Sequence, residues 1–216
     1  MRGVFITFEG LDKSGKTTQA RVLAEALARS GRAVLLTRQP GGSPLCAEIA
    51  RLTRDGRHFG RMAPVAELML YLADRAQHVH EAILPALELG KVVVCDRYTD
   101  STAAYQGYGR GVSLDTLTAL NEVATGGVTP DLTLLVDIPV AEARRRGLGK
   151  AEGVSTDRME MEQTIFYERV RAGYLRIAAS DPERIVVLDG LEAAERVSER
   201  VRAVVEAVLK KKDSGP

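Results

Sequence analysis

At 216 residues the chain is long enough to bury one substantial core, and its 45% hydrophobic and 27% charged residues exclude a disordered or fibrous protein. A formal net charge of +1 leaves no global field to draw it to nucleic acid or to a membrane surface, so any anion it binds must be met by local clusters. No apolar run approaches the roughly 18 residues of a membrane helix, the N-terminus lacks a signal-peptide layout, and Cys46 and Cys95 sit far apart, which predicts buried free thiols in a cytoplasmic protein.

The first predicted element is the strand "GVFITFEG" from Gly3, followed by a glycine-rich turn and a helix. A second strand, "RAVLLTR", starts at Arg32. From Pro64 to Leu89 one long helix is expected, with Val65, Leu68, Leu72, Ala76, Val79 and Ile83 as its buried stripe and Gly90 as its stop. Strands "KVVVCDR" from Lys91, "DLTLLVDI" from Asp131 and "RIVVLDG" from Arg184 follow. Helices are expected where Phe166, Val170, Tyr174 and Ile177, and then Val197, Val201, Val204 and Val208, recur at helical intervals. The tail from residue 210, "KKKDSGP", is expected to fray. Four of the five strand runs are almost continuously apolar, as in parallel strands covered on both faces, so the fold class is α/β with ligands at the carboxyl ends of the strands.

The turn "GLDKSGKT", Gly10 to Thr17, fits Gly-x4-Gly-Lys-Thr and lies between a strand and a helix, where a phosphate loop belongs. Gly10 and Gly15 permit backbone geometry that a Cβ forbids, successive amides and the helix end face an anion, Lys16 reaches the β- and γ-phosphates, and the Thr17 hydroxyl faces Mg²⁺. A nucleoside triphosphate is the expected ligand. The guanine reader Asn-Lys-x-Asp and the dinucleotide fingerprint Gly-x-Gly-x-x-Gly are both missing from the sequence. Instead, Arg38, Arg75 and Arg97 lie on segments that the fold converges on one sheet edge, and Arg144 to Arg146 and Arg158 follow later. Such cations answer the repulsion between a triphosphate and a second phosphate, and an acceptor monoester, mostly dianionic at neutral pH, needs no general base.

The stretches "FEGLDKSGKTT", "TRQPGG", "YLADRAQ", "DRYTDSTAAYQGYGRG", "PDLTLLVDI" and "DRMEMEQTIFYERVRAGY" together resemble the thymidylate kinases, a family of P-loop nucleoside monophosphate kinases. The resemblance implies one domain over 1–216 with the P-loop NTPase fold: a five-stranded parallel sheet, helices on both faces, and a mobile lid at about 144–160. It also implies the reaction ATP + dTMP giving ADP + dTDP with Mg²⁺, and a homodimer.

The family's site residues transfer to matching positions. ATP is implied to lie on Gly10, Leu11, Asp12, Lys13, Ser14, Gly15, Lys16, Thr17 and Thr18, with Thr17 and Asp96 serving the metal. For dTMP, Asp12 corresponds to the carboxylate that accepts from the sugar 3′-hydroxyl; Arg75 and Arg97 hold phosphate and base; Arg38 lies near the same phosphate, and Pro40 is a further dTMP-binding position. Tyr71 stacks on thymine, Ser101, Thr102 and Gln106 read the pyrimidine edge, and Tyr105 crowds C2′ against ribose. Lys13, Lys16, Arg97 and the lid's Arg158 are the implied catalytic cations, with Lys13 and Arg158 expected to share charge on the transferring group. One of the three consecutive arginines, 144 to 146, is expected to be functional. Against the usual bacterial pattern Gln39 replaces a glutamate, Ala50 replaces an arginine with Arg51 turned about 100° away, and Lys13 replaces a glycine. Two other readings stand beside this one: a monophosphate kinase accepting dUMP, dCMP or a broader set, and a nucleotide-binding regulator that signals through lid closure.

Overall fold

Apolar, β-branched runs build the centre of the molecule, and a computed structural model describes residues 2–149 and 157–213. All five expected strands form: β1 (Val4–Glu9), β2 (Val34–Arg38), β3 (Val92–Asp96), β4 (Leu132–Asp137) and β5 (Ile185–Asp189). They pair in parallel in the order β2-β3-β1-β4-β5, with Phe5 opposite Val93 and Phe8 opposite Leu134. Central β1 and β3 are buried at every position, which is why their sequences show no polar alternation.

Because strand side chains alternate between faces, even positions of β1 (Val4, Ile6, Phe8) join Leu23 and Leu27 of α1 (Lys16–Arg29) and Val197, Val201, Val205 and Leu209 of α9 (Ala194–Asp213). Helix α9 therefore buries the 197, 201, 205, 209 row, with Val204 and Val208 on its flank, a register one residue along from the expected one after its second turn. The opposite face of the sheet is covered in two places. Phe5, Val93 and Cys95 pack with Tyr98, Ile83 and Leu87, while Leu135 packs with Phe166, Tyr167 and Val170 of α8 (Thr164–Ser180). The expected frayed tail is helical through Asp213, where Lys212 and Asp213 pair with Asp131 and Arg32; its residues 214–216 lie outside the described residues.

The long helix expected over residues 64–89 is three pieces: α3 (Pro64–His78), a π-helical turn at Val79–Ile83, and α4 (Leu84–Glu88). Pro85 removes the N–H that would continue the α ladder, and the widened turn ends at Ile83, two residues before it. The expected stripe is also corrected. Val65 and Ala76 are exposed, and the buried face of α3 carries Glu67, Asp74, Arg75 and His78 beside Leu68 and Leu72. Apolar periodicity could not reveal a face whose buried members are charged.

The remaining helices are α2 (Pro44–Arg54), α5 (Thr99–Thr102), which runs into a π-helical segment at Ala103–Gly109, α6 (Leu114–Thr125) and α7 (Val140–Arg145). Of the expected lid, residues 150–156 lie outside the described residues. Its far side meets the end of α2, where Asp157 bridges Asp55 and the Arg158 amide donates to the Arg54 carbonyl at 2.7 Å.

Candidate active site

The phosphate loop leaves β1 at Glu9 and enters α1 at Lys16. Gly10 has φ +135°, and a Cβ there would lie 2.3 Å from the Val136 carbonyl oxygen, so the tight turn admits only glycine. Lys13, beside it, also has positive φ (67°), as does Arg97 (φ 72°) after β3. Non-glycine residues held in this region cost energy and cluster at functional positions. The first amides of α1 have no side-chain cap and face the loop, with Thr18 exposed in the first turn. Lys16 is buried, and its Nζ donates to the Leu11 carbonyl and to Asp12 Oδ1, each at 3.3 Å. Lys13 reaches Glu160 at 3.5 Å. The Thr17 hydroxyl donates to Asp96 Oδ2, while Asp96 Oδ1 is buried with no partner among the described residues.

Next to this loop lies a cavity of about 190 Å³ lined by Asp12, Pro40, Tyr71, Arg75, Arg97, Ser101, Thr102, Tyr105 and Gln106, nine residues that the sequence assigns to dTMP. Arg97 holds its wall together. Its guanidinium donates to Ser101, Tyr174, Asp12 and Tyr105 at 2.9, 2.9, 2.9 and 3.2 Å and stands over the Tyr105 ring. Burial alone would raise the Asp12 carboxyl, but Arg97 and then Lys16 hold it well below the usual carboxylate range, so it stays ionised and accepts hydrogen bonds. Arg75 is buried and donates to Thr102, Asn121, Gln39 and the Tyr98 carbonyl. Burial and nearby Glu67 push the Tyr71 phenol up to about 12, so it is neutral at physiological pH.

Two expected residues stand elsewhere, and a third is committed to another partner. Arg38 ends β2 exposed and does not line the cavity. Arg158 is buried with Nη1 2.6 Å from Glu67 and Nε donating to the Thr53 carbonyl at 3.0 Å, so the expected sharing of charge with Lys13 is not formed in this arrangement. Gln106 lines the cavity but commits its amide nitrogen to Glu67 at 2.8 Å. Glu67 also pairs with Arg110, at 3.1 Å, and these cations outweigh its burial and keep it ionised. Of the three consecutive arginines, Arg146 approaches the phosphate loop, donating to the Ser14 carbonyl at 3.5 Å and the Gly190 carbonyl at 2.9 Å.

The sequence assigned no site role to Glu9 or Arg54 and placed Tyr174 only in a helix stripe. Glu9 is fully buried at the end of β1, where it accepts from the Tyr98 and Ser101 amides and the Tyr174 hydroxyl. An acid closing an apolar strand next to the glycine turn was its one local signal. Arg51, the residue considered in place of an arginine at 50, is exposed on Glu48; Arg54, one turn beyond Ala50, lines the cavity instead, its guanidinium without a hydrogen bond or ion pair among the described residues.

The thymidylate kinase family profile matches residues 8–201. The chain belongs to the thymidylate kinase family. Thymidylate kinases from Citrifermentans bemidjiense and Geotalea daltonii are each 46% identical to it, spanning 96% of this chain and 96% and 97% of those proteins. The crystal structure of thymidylate kinase from Ehrlichia chaffeensis superposes with a TM-score of 0.75 at 34% identity, covering 95% of this chain and 99% of that one. Membership accounts for the five-stranded P-loop fold, and it does not favour the regulator reading.

Proposed function

We propose that the protein transfers the γ-phosphoryl group of ATP to dTMP, giving ADP and dTDP. The observation that carries this reading is Asp12. Its carboxylate is bonded on one side by Lys16 of the phosphate loop and on the other by Arg97 of the cavity, so the two anion sites share a wall. In the reaction an oxygen of the acceptor phosphate attacks the γ-phosphorus as the bond to the β–γ bridging oxygen breaks. Held ionised, Asp12 orients the acceptor sugar and takes no proton, consistent with a dianionic nucleophile that has none to lose. Catalysis is then positioning plus cationic stabilisation by Lys16, Lys13 and Arg97. Arg158, clamped on Glu67, anchors the base of the lid in this arrangement. Tyr71, Thr102, Gln106 and Tyr105 face the base and C2′ of the acceptor.

Thr17 and Asp96 fit a divalent cation, because a hydroxyl and an unpartnered buried carboxylate oxygen lie side by side at the start of the phosphate loop helix. Mg²⁺ there would neutralise charge on the β- and γ-phosphates. We further propose a homodimer through α3 and α6, which pack on each other and expose Val65, Met69, Leu114 and Val123. No helix among the described residues is long and apolar enough to cross a membrane, and buried free Cys46 and Cys95 suit the reducing cytoplasm proposed as its location.

An ADP-coupled assay with ATP and dTMP tests the reading. Turnover with dTMP is expected, with specificity constants for dUMP and dCMP well below that for dTMP. Comparable constants for all three would favour the broader monophosphate kinase.

A further inference from the structure

Arg75 is 3% exposed, yet no carboxylate bonds to it. Its Nε donates to Gln39 Oε1 at 3.1 Å, Nη1 to Thr102 Oγ1 and Asn121 Oδ1 at 2.8 and 2.7 Å, and Nη2 to the Tyr98 carbonyl at 2.9 Å. Every one of these acceptors is neutral. A buried arginine ordinarily sits beside a carboxylate, because an unpaired charge removed from water is costly. Here the positive charge is left to the cavity that Arg75 lines.

The layer behind it explains how. Arg75 Nε can only donate, so it must face the amide oxygen of Gln39, and the Gln39 nitrogen therefore points the other way. That nitrogen lies 3.0 Å from His78 Nδ1, which must accept. The imidazole proton accordingly resides on Nε2, 2.7 Å from the Thr37 hydroxyl oxygen, which accepts it. Gly42 packs closely on the ring: a Cβ there would lie 2.2 Å from its Nε2, which gives the second glycine of "PGG" a packing reason. Burial first, then Arg75, lowers the His78 pKa to about 4, so the ring is neutral at physiological pH. The other titratable groups around this pair are Asp74 and Glu81 on or after α3, Glu9 at the end of β1, and Cys95 and Tyr98 at the end of β3.

We propose that Gln39 and His78 are positioning residues for dTMP, which by presenting only neutral groups to Arg75 hold it in the cavity as a cation with no carboxylate bonded to it. The proposal rests on the reading of this cavity as the dTMP site. It has a sharp consequence for Gln39→Glu. A carboxylate oxygen would then confront both Arg75 and the bare His78 Nδ1, and the imidazole would take up a proton near neutrality to satisfy it. The Arg75–His78–residue 39 unit would carry a charge of +1 while that proton is present and zero once it is lost, whereas the natural unit carries +1 throughout.

Two measurements test this. Long-range ¹H–¹⁵N NMR of the natural protein between about pH 5 and 8, with His58 and His80 assigned by substitution, is expected to show His78 as the neutral Nε2–H tautomer throughout. An Nδ1–H tautomer, or a titration midpoint near the ordinary value of about 6.5, would overturn the proposal. The KM for dTMP of Gln39→Glu, divided by that of the natural protein at each pH, cancels the titration of the substrate phosphate and largely that of Asp74. This ratio is expected to rise about tenfold from pH 6 to pH 9, with the KM for ATP unchanged; a ratio independent of pH overturns the proposal. The NMR result stands even if the variant folds poorly. Failure of the natural protein to phosphorylate dTMP would instead sink the reading of the site, leaving the tautomer to judge the relay by itself.

Discussion

Asp12 and Arg54 show how differently single side chains of one cavity are constrained. Asp12 is fixed by Arg97 and Lys16, so Asp12→Asn keeps the shape but removes the acceptor charge and the ion pairs. Calorimetry is expected to show dTMP affinity weakened about tenfold or more, the scale of a charge-assisted hydrogen bond, with ATP affinity nearly unchanged. Unaltered dTMP affinity would remove Asp12 from the acceptor site. The Arg54 guanidinium makes no hydrogen bond or ion pair among the described residues, so Arg54→Ala is expected to leave thermal stability within about 0.5 kcal/mol while raising the KM for dTMP severalfold; an unchanged KM would leave it a bystander. Asp12, Arg75 and Arg97 were legible in the sequence because each lies in a motif of fixed spacing. Arg54, Glu67 and His78 were not, because their roles come from contacts with residues brought close only by folding: His78 meets Thr37 and Gln39, and Glu67 meets Arg110 and Arg158.

At the scale of elements, α3 concentrates the buried polar groups, and its pH behaviour follows from two opposed residues. Asp74, raised to about 6 mainly by burial, keeps its proton in the folded state where the unfolded chain has lost it, so its contribution to stability falls as pH rises from about 4 to 6. His78, lowered to about 4, remains neutral in the folded state where the unfolded chain is protonated, so its contribution rises over about pH 4 to 6.5. The two slopes cancel over most of that window. Asp74→Asn, which can still accept from the Gly41 amide, is therefore expected to unmask a gain on the order of 3 kcal/mol between pH 4 and 6.5 relative to the natural protein, read from urea midpoints at each pH. A parallel pH dependence in the two proteins would contradict this. The same helix also anchors the lid through Glu67, whose replacement by alanine leaves Arg158 buried without its ion pair. A loss of about 3–5 kcal/mol is expected in denaturant unfolding, and a loss below about 1 kcal/mol would show that the clamp contributes little. Strand existence was easy to read, since β1, β3 and β4 are almost continuously apolar. The break of the 64–89 helix at the π turn was harder, because Pro85 follows a periodic pattern that continues past it.

For the whole molecule, the sheet order places the ends of β1, β2 and β3 side by side, and from those three ends come Glu9 and the phosphate loop, Gln39 and Pro40, and Asp96 to Ser101. The fold thus gathers two anion sites from segments far apart in the chain and joins them at Asp12. ³¹P NMR of the protein with ATP, dTMP and Mg²⁺ follows every phosphorus atom at once. The two-site arrangement predicts that the γ-signal of ATP declines as the signals of ADP and dTDP grow in one-to-one proportion, with no orthophosphate beyond the uncatalysed rate. Release of orthophosphate without dTDP, or unchanged spectra while ATP is bound, would contradict it.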